Sequence, residues 1–386
     1  MTTAIKFSIF ILLTFLYCAI GPFARAQSTS PPSILNNKQA YDLTQRALNH
    51  IYNVDTERSE PLIDQIDGLL PNYPAVPLLK ALSMRSANYP LEPGSAAFGQ
   101  MKEYLYRVID QSEEILDKDD DHAEVNFFML SAHGLLALYE NEDGNTFKAV
   151  GQAKNAYSYL KNGFDLVEVY PDFYFSTGLY NYYREKYPEL RPAYRPFMWF
   201  FRSGDTALGL KQLDTAVRKS LFLGAESADF LIQIYLFYED RPGLALPYAR
   251  RLVNDYPDNL YFTVNYVHAA LGAGKFAGVD TYVQRLISSD KRYFQVVGNL
   301  FRGMLLEKRD RRWDEAEAAY LQSLQRNIGI KGEEAKNYRS YAYVGLARIA
   351  AHEKKAAQAK RLYEQALEAA QYPPVKQEAE AYLKGR

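Results

Sequence analysis

The chain is nearly free of cysteine: among 386 residues only Cys18 is one. A disulfide framework is therefore excluded, and thiol catalysis falls with it once the N-terminal segment is removed. Neither sign of charge is in excess, with 45 basic against 46 acidic residues and a formal net charge of −1. Such a balance lacks the global basic field that nucleic acid demands, so no nucleic-acid partner is expected. Long apolar runs are scarce. Phe7–Ile20 is the clear one, and it is shorter than the ~20 residues that span a bilayer. Period-two alternation bounded by turn residues is missing, which leaves an all-α fold class.

Signatures of chemistry are also missing. The histidines, His50, His122, His133, His268 and His352, never stand three or four residues apart, so helical metal-ligand spacing is absent and no metal or cofactor is expected. His133, in an apolar helix, reads as a core residue with its hydrogen bonds met. Gly272-Ala273-Gly274-Lys275-Phe276 imitates a phosphate-binding loop, but no Ser or Thr follows Lys275 and Ala269 stands where the first glycine belongs. It reads as a turn between helices. Asp117-x-Asp119-x-Asp121 has His122 and Phe128 where a calcium loop needs Gly and Glu. These acids are expected to cap the helix that starts near Ala123. No Gly-x-Ser-x-Gly elbow is present. The expectation is a protein without catalytic activity, although carboxylates that meet only in three dimensions stay open.

What is present begins with an export signal. Lys6, the apolar run, the Gly21-Pro22 break and Ala24-Arg25-Ala26 predict a signal peptide over residues 1–26, cleaved before Gln27. An uncleaved anchor and lipidation at Cys18 are the alternatives; the second is opposed by Tyr17, where a small residue belongs. The mature chain would carry −3, have no transmembrane segment, and work in the periplasm or as a secreted, envelope-associated protein. Residues 27–36 are Ser- and Pro-rich and predict a flexible leader.

The C-terminal half repeats. Ala245, Val279, Ala316 and Ala359 stand in one register, followed four residues on by Ala249, Val283, Tyr320 and Tyr363, and three further by Leu252, Leu286, Ser323 and Ala366. This is the small–aromatic–small stripe of the second helix of a tetratricopeptide repeat. Gly209, Leu213 and Ala216 mark a weaker unit before it. A small residue lets two helices cross closely, while the aromatic plugs the gap to the next hairpin. The architecture expected is one right-handed α-solenoid over residues 37–386. It comprises degenerate hairpins at 37–169, an aromatic and proline-rich connection at 170–205, and repeats at 206–386. Its concave face would be lined by first helices, and a Lys- and Glu-rich helix near Val375–Leu383 would cap it.

The candidate site lies in the connection. Twelve of the 29 residues from Phe173 to Phe201 are aromatic, against 14% for the chain, and they alternate with arginines and with Pro188, Pro192 and Pro196. Tyr174, Tyr182, Tyr183, Arg184, Arg191, Tyr194, Arg195, Trp199, Phe200 and Arg202 form the candidate patch. Rings beside guanidinium groups suit peptides, sugars or polar head groups; the same rings also suit wedging an irregular connection into the core. Phe175-Ser176-Thr177-Gly178-Leu179-Tyr180-Asn181-Tyr182, followed by prolines, Gly204-Asp205 and Gly209-Leu210-x-x-Leu213, resembles a block of the tetratricopeptide family linked to inclusion-body clearance (Iml2-like). The resemblance implies an adaptor-like helical-repeat protein without a catalytic motif. Two functions follow as expectations: an exported scaffold holding a protein or peptide partner, or an envelope protein binding a glycan or small ligand through residues 173–202.

Overall fold

The structure, a computed structural model, describes residues 32–190, 192, 195–196, 199, 201–330 and 333–385. The signal segment 1–26 lies outside the described residues. Seventeen α-helices and no strand are present among them. They form consecutive antiparallel pairs. The first four pairs are α1 (Lys38–Tyr52) with α2 (Thr56–Leu69), α3 (Ala75–Ala87) with α4 (Ala96–Leu116), α5 (Ala123–Glu142) with α6 (Thr146–Leu166), and α7 (Phe173–Leu190) with α8 (Thr206–Lys219). Then come α9 (Gly224–Gln233) with α10 (Pro242–Asp255), α11 (Leu260–Gly272) with α12 (Val279–Ile287), α13 (Arg292–Leu305) with α14 (Trp313–Asn327), and α15 (Glu333–His352) with α16 (Ala356–Ala369). Helix α17 (Pro373–Leu383) ends the array.

Local chemistry sets the helix starts. Asn37, Asp55, Ser95, Asp205 and Asn259 each accept an N–H from the first turn of the helix they precede, as N-caps do. At α5 the cap is His122, whose Nδ1 accepts the Val125 N–H at 3.4 Å. The aspartates expected in that role do not take it: Asp119 and Asp121 lie further back in the turn, and the residue adjacent to the helix wins the geometry. The chain is also anchored earlier than expected. Ile34 is fully buried and its N–H reaches the buried Glu124 carboxylate at 3.1 Å, so the leader ends before residue 36.

One turn recurs inside the hairpins. Val54, Gly144, Gly274 and Lys354 adopt positive φ, and the next residue's N–H returns five residues, as in Asp55 to His50 (2.9 Å) and Lys275 to Ala270 (2.8 Å). The imitation phosphate loop is thus a repeat turn. In two hairpins the first helix ends in a π turn, Ile234–Tyr238 and Leu306–Asp310, and the closing bonds span one residue more: Arg241 to Tyr235 and Arg312 to Leu306.

The repeat markers occupy the places their chemistry requires. Ala245, Val279, Ala316 and Ala359 are wholly buried. Tyr320 on α14 lies against Gly303 on α13 and Gly345 on α15; a Cβ on those glycines would stand 2.7 and 2.3 Å from its ring. Its hydroxyl donates to the buried Glu307 carboxylate at 2.5 Å, which the Arg348 guanidinium also grips through two nitrogens at 2.5 and 2.9 Å. Arg348 reaches Glu378 on α17 at 3.1 Å, so one network ties the last two hairpins to the cap. Gly178 and Gly209 serve α7 and α8 likewise: a Cβ on Gly209 would meet Gly178 O at 2.7 Å. The chain is a tetratricopeptide-like α-solenoid.

Two expectations need correction. The region read as a connection is, over Phe173–Leu190, a first helix that continues through Pro188. The first helices also do not line an open concave face. Helices α1 and α3 reach across to hairpins over a hundred and fifty residues away, where a simple stack contacts only its neighbours. Tyr52 donates to Phe222 O at 2.7 Å, Asn259 donates to Tyr52 O at 2.8 Å, and Lys291 donates to Tyr89 O at 2.8 Å. Tyr89 packs on Tyr261 at 4.6 Å and on Tyr293 at 5.8 Å. The ends of α1 and α3 thus meet the starts of α9, α11 and α13.

Val54 is β-branched and holds φ at 62°, a conformation that costs L-residues about 1–2 kcal/mol. Val54→Gly is therefore expected to raise the denaturation midpoint, by about 1 kcal/mol in unfolding free energy. Gly345→Ala is expected to lower stability by about 2–3 kcal/mol, because Tyr320 is too enclosed to withdraw; chemical denaturation followed by circular dichroism measures both.

Candidate functional site

The rings and cations of the candidate segment separate into one cluster on α7 and another against α6. The first faces the interior. Tyr182 is buried and its hydroxyl donates to Glu239 at 2.6 Å, while Lys186 Nζ lies 3.1 Å from the same carboxylate. Burial pushes Glu239 up, but the hydrogen bonds from Tyr182 and Lys186 outweigh it and hold the carboxyl below its ordinary range. Tyr183 is half-buried, edge-on to Tyr182 at 5.1 Å and to Tyr238 at 5.4 Å. Burial raises both phenols above their ordinary range. The ring contacts continue through Tyr238–Tyr372 (5.3 Å), Phe237–Tyr372 (5.0 Å), Phe237–His268 (5.3 Å) and His268–Tyr341 (5.2 Å). They join α7, the end of α9, α11, α15 and the start of α17. Tyr182 and Tyr183 therefore act in the core.

The second cluster faces solvent. It is built on α6, where Tyr157, Lys161 and Phe164 recur at four and three residues and so share a face. Tyr180 from α7 lies 5.4 Å edge-on to Phe164 and 6.0 Å from Tyr157, and Phe201 stands edge-on to Tyr157 at 5.3 Å. The Arg202 guanidinium sits over the Phe164 ring at 4.2 Å, and Lys161 lies 5.9 Å from the Tyr157 centroid. The Tyr180 hydroxyl donates to Arg202 O at 2.5 Å, which fixes the chain that carries Phe201 and Arg202. Such a surface offers ring faces and positive charge together, a combination that favours aromatic, aliphatic and anionic groups.

The remaining candidates are dispersed. Tyr174 packs beside Lys219 (5.8 Å), and its hydrogen bond to Glu168 pushes the phenol up to about 12. Arg184 lies 3.4 Å from Glu185, whose carboxylate also accepts the Gly204 N–H at 3.0 Å. Arg195 Nε donates to Pro188 O at 3.2 Å. Trp199 is 75% exposed. Arg191, Tyr194 and Phe200 lie outside the described residues. Of the ten, Arg202 belongs to the solvent-facing cluster. Its companions Tyr157, Lys161 and Phe164 were missed by the sequence reading, although their helical spacing was a usable signal.

No protein-family model matches the chain, and no curated protein matches it. Among solved structures, yeast Tom70 aligns with a TM-score of 0.39 at 13% identity, covering 98% of this chain and 78% of that one. A monomeric mutant of IFIT1 with Gppp-AAAA gives 0.33 at 14% identity, covering 86% and 67%. The human IFIT1 dimer with m7Gppp-AAAA gives 0.32 at 15%, covering 86% and 66%. The fold assignment rests on the helix pairing and the glycine–tyrosine contacts within this chain.

Elsewhere, a polar cleft of about 200 Å³ opens between α1 and the ends of α8 and α10. Its two arginines are already engaged, Arg218 with Asp214 and Arg251 with Asp255. Among the described residues no group of three or more His, Cys, Asp or Glu side chains is arranged to hold a metal. No described helix is long and apolar enough to cross a membrane. His133 is buried and its Nδ1 pairs with Gln152 Oε1 at 2.6 Å, the satisfied core role expected of it.

His268 differs. It is enclosed by Phe237, Phe301, Tyr338 and Tyr341, and its Nδ1 has no hydrogen-bond partner. Burial, with the Lys308 charge adding to it, pulls the imidazole down to about 3. A group depressed in the folded state contributes stability above its unfolded pKa of about 6.5 and loses it as pH falls from there toward 3. At pH 5 that loss is about 2 kcal/mol. His268→Phe is expected to match wild type at pH 8 and to exceed it by about this amount at pH 5; urea titrations at the two pH values measure the difference.

Proposed function

We propose that this chain is an exported, non-catalytic helical-repeat scaffold that holds a protein partner in the cell envelope. The observation that carries the reading is the solvent-facing cluster of Tyr157, Lys161, Phe164, Tyr180, Phe201 and Arg202. Helices α5, α11 and α13 are buried on nearly every side, so recognition moves to the outer face. Aromatic rings held half-exposed beside guanidinium and ammonium groups are the side chains that dominate protein interfaces. Export is supported by the N-terminal pattern of Lys6, Phe7–Ile20 and Ala24-Arg25-Ala26. The resemblance of the Phe175–Leu213 block to adaptor-like repeat proteins points the same way.

A second reading, a glycan or small-ligand receptor, is favoured by the same exposed rings, because sugar C–H faces stack on them. The two separate experimentally. Affinity capture from native envelope with the chain from Gln27 is expected to recover a stoichiometric protein, and Tyr157→Ala with Arg202→Ala is expected to weaken that capture about tenfold or more at unchanged melting temperature. No stoichiometric partner at low or high salt defeats the scaffold. A change in Trp199 fluorescence with a soluble glycan then moves the second reading ahead.

A further inference from the structure

The solvent-facing cluster is one end of a longer stripe. On α6, residues 147, 150, 154, 157, 161 and 164 alternate at spacings of three and four, which keeps them on one face over about 26 Å. They are Phe147, Val150, Lys154, Tyr157, Lys161 and Phe164. At the far end the rings are covered by Tyr180, Phe201 and Arg202. At the near end nothing covers them: Phe147 is 96% exposed and Val150 65%. Little of α6 is inside, since only Ala149, Leu160 and Gly163 are buried. An amphipathic helix normally turns its apolar stripe to the core. Here Leu160, Tyr159 and Leu166 pack inward, while Phe147 and Val150 face out.

The charge on this face is one-sided. Helix α6 carries Lys148, Lys154 and Lys161 against a single acid, Asp165, and Arg202 adds a fourth cation above Phe164. Lys154 makes no ion pair or hydrogen bond, and Lys161 is engaged by a ring alone. A second copy of the chain is a poor occupant, because pairing the stripe with itself sets lysine against lysine. A stripe of three-four spacing is the footprint of a helix packed alongside, and the cations interleaved in it, Lys154 and Lys161, select carboxylates on that helix.

Resting on the scaffold reading, we propose that α6 is the docking strip for an acidic amphipathic helix of the partner, whose apolar residues cover Phe147, Val150 and Tyr157. Its carboxylates pair with Lys154, Lys161 and Arg202. The strip ends where Phe201 closes over Tyr157.

The test uses the chain from Gln27 and a fluorescein-labelled three-heptad peptide with Leu at the apolar positions and Glu at the flanking ones. A scrambled peptide, a Lys-flanked version and vesicles of phosphatidylglycerol serve as comparisons. The acidic peptide is expected to bind about tenfold or more tightly than the scrambled one, and to weaken with salt. Phe147→Ser with Val150→Ser removes the difference. Lys154→Glu with Lys161→Glu transfers the preference to the Lys-flanked peptide. All four positions are partnerless or surface groups, so the melting temperature is expected to hold. Equal binding of acidic and scrambled peptides, indifference to either double variant, or Phe147-dependent binding to vesicles in place of peptide overturns the proposal. Envelope capture that survives Phe147→Ser with Val150→Ser overturns the strip and leaves the scaffold standing. Capture that fails with wild type removes the scaffold itself.

Discussion

A helix that is apolar on every side has to be covered on every side, and this constraint governs the whole fold. Ten consecutive residues of α11, Phe262 to Leu271, are buried. Helices α5 and α13 are nearly as enclosed. Second helices cover one flank of such a layer, and neighbouring first helices cover two more. The inner flank remains, and in an open solenoid it would face water. Burying it is worth about 25 cal/mol per Å² of apolar surface, and the ends of α1 and α3 are bonded to the starts of α9, α11 and α13.

That closure explains where the polar groups are. Tyr52, Asn259 and Lys291 make their long-range bonds at helix ends, where backbone carbonyls need partners and the helix itself supplies none. The rings around His268 fill the remaining space between first helices, and an imidazole there stays neutral because no charge can be solvated. Gly303 and Gly345 let Tyr320 seat between hairpins, and the Glu307–Arg348–Glu378 network fixes the end of the array. With the inside committed to packing, the outer face of α6 leaves Phe147 and Val150 in water.

The sequence made much of this legible. The small–aromatic–small register of α10, α12, α14 and α16 predicted buried positions correctly, because each depends on local helix periodicity and on side-chain size. The repeat turn at Gly274 and the core role of His133 followed from equally local arguments. The aromatic segment was harder. Tyr174 to Arg202 are close in sequence, yet Tyr182 and Tyr183 turn inward while Arg202 joins α6. Composition cannot separate rings that diverge around one helix, and the spacing on α6 gained meaning only once Tyr180 and Phe201 were seen beside it.

The sequence by itself determined an all-α chain of hairpins in series and the small residues at their close crossings in the C-terminal half, because these rest on interactions between residues near one another along the chain. The tertiary structure alone decided that α11 is enclosed on every side, that α7 runs through Pro188, and that the exposed stripe lies on α6. Each of those depends on contacts between hairpins far apart in sequence. No local pattern encodes which of several apolar faces will find its cover first and which is left for another molecule.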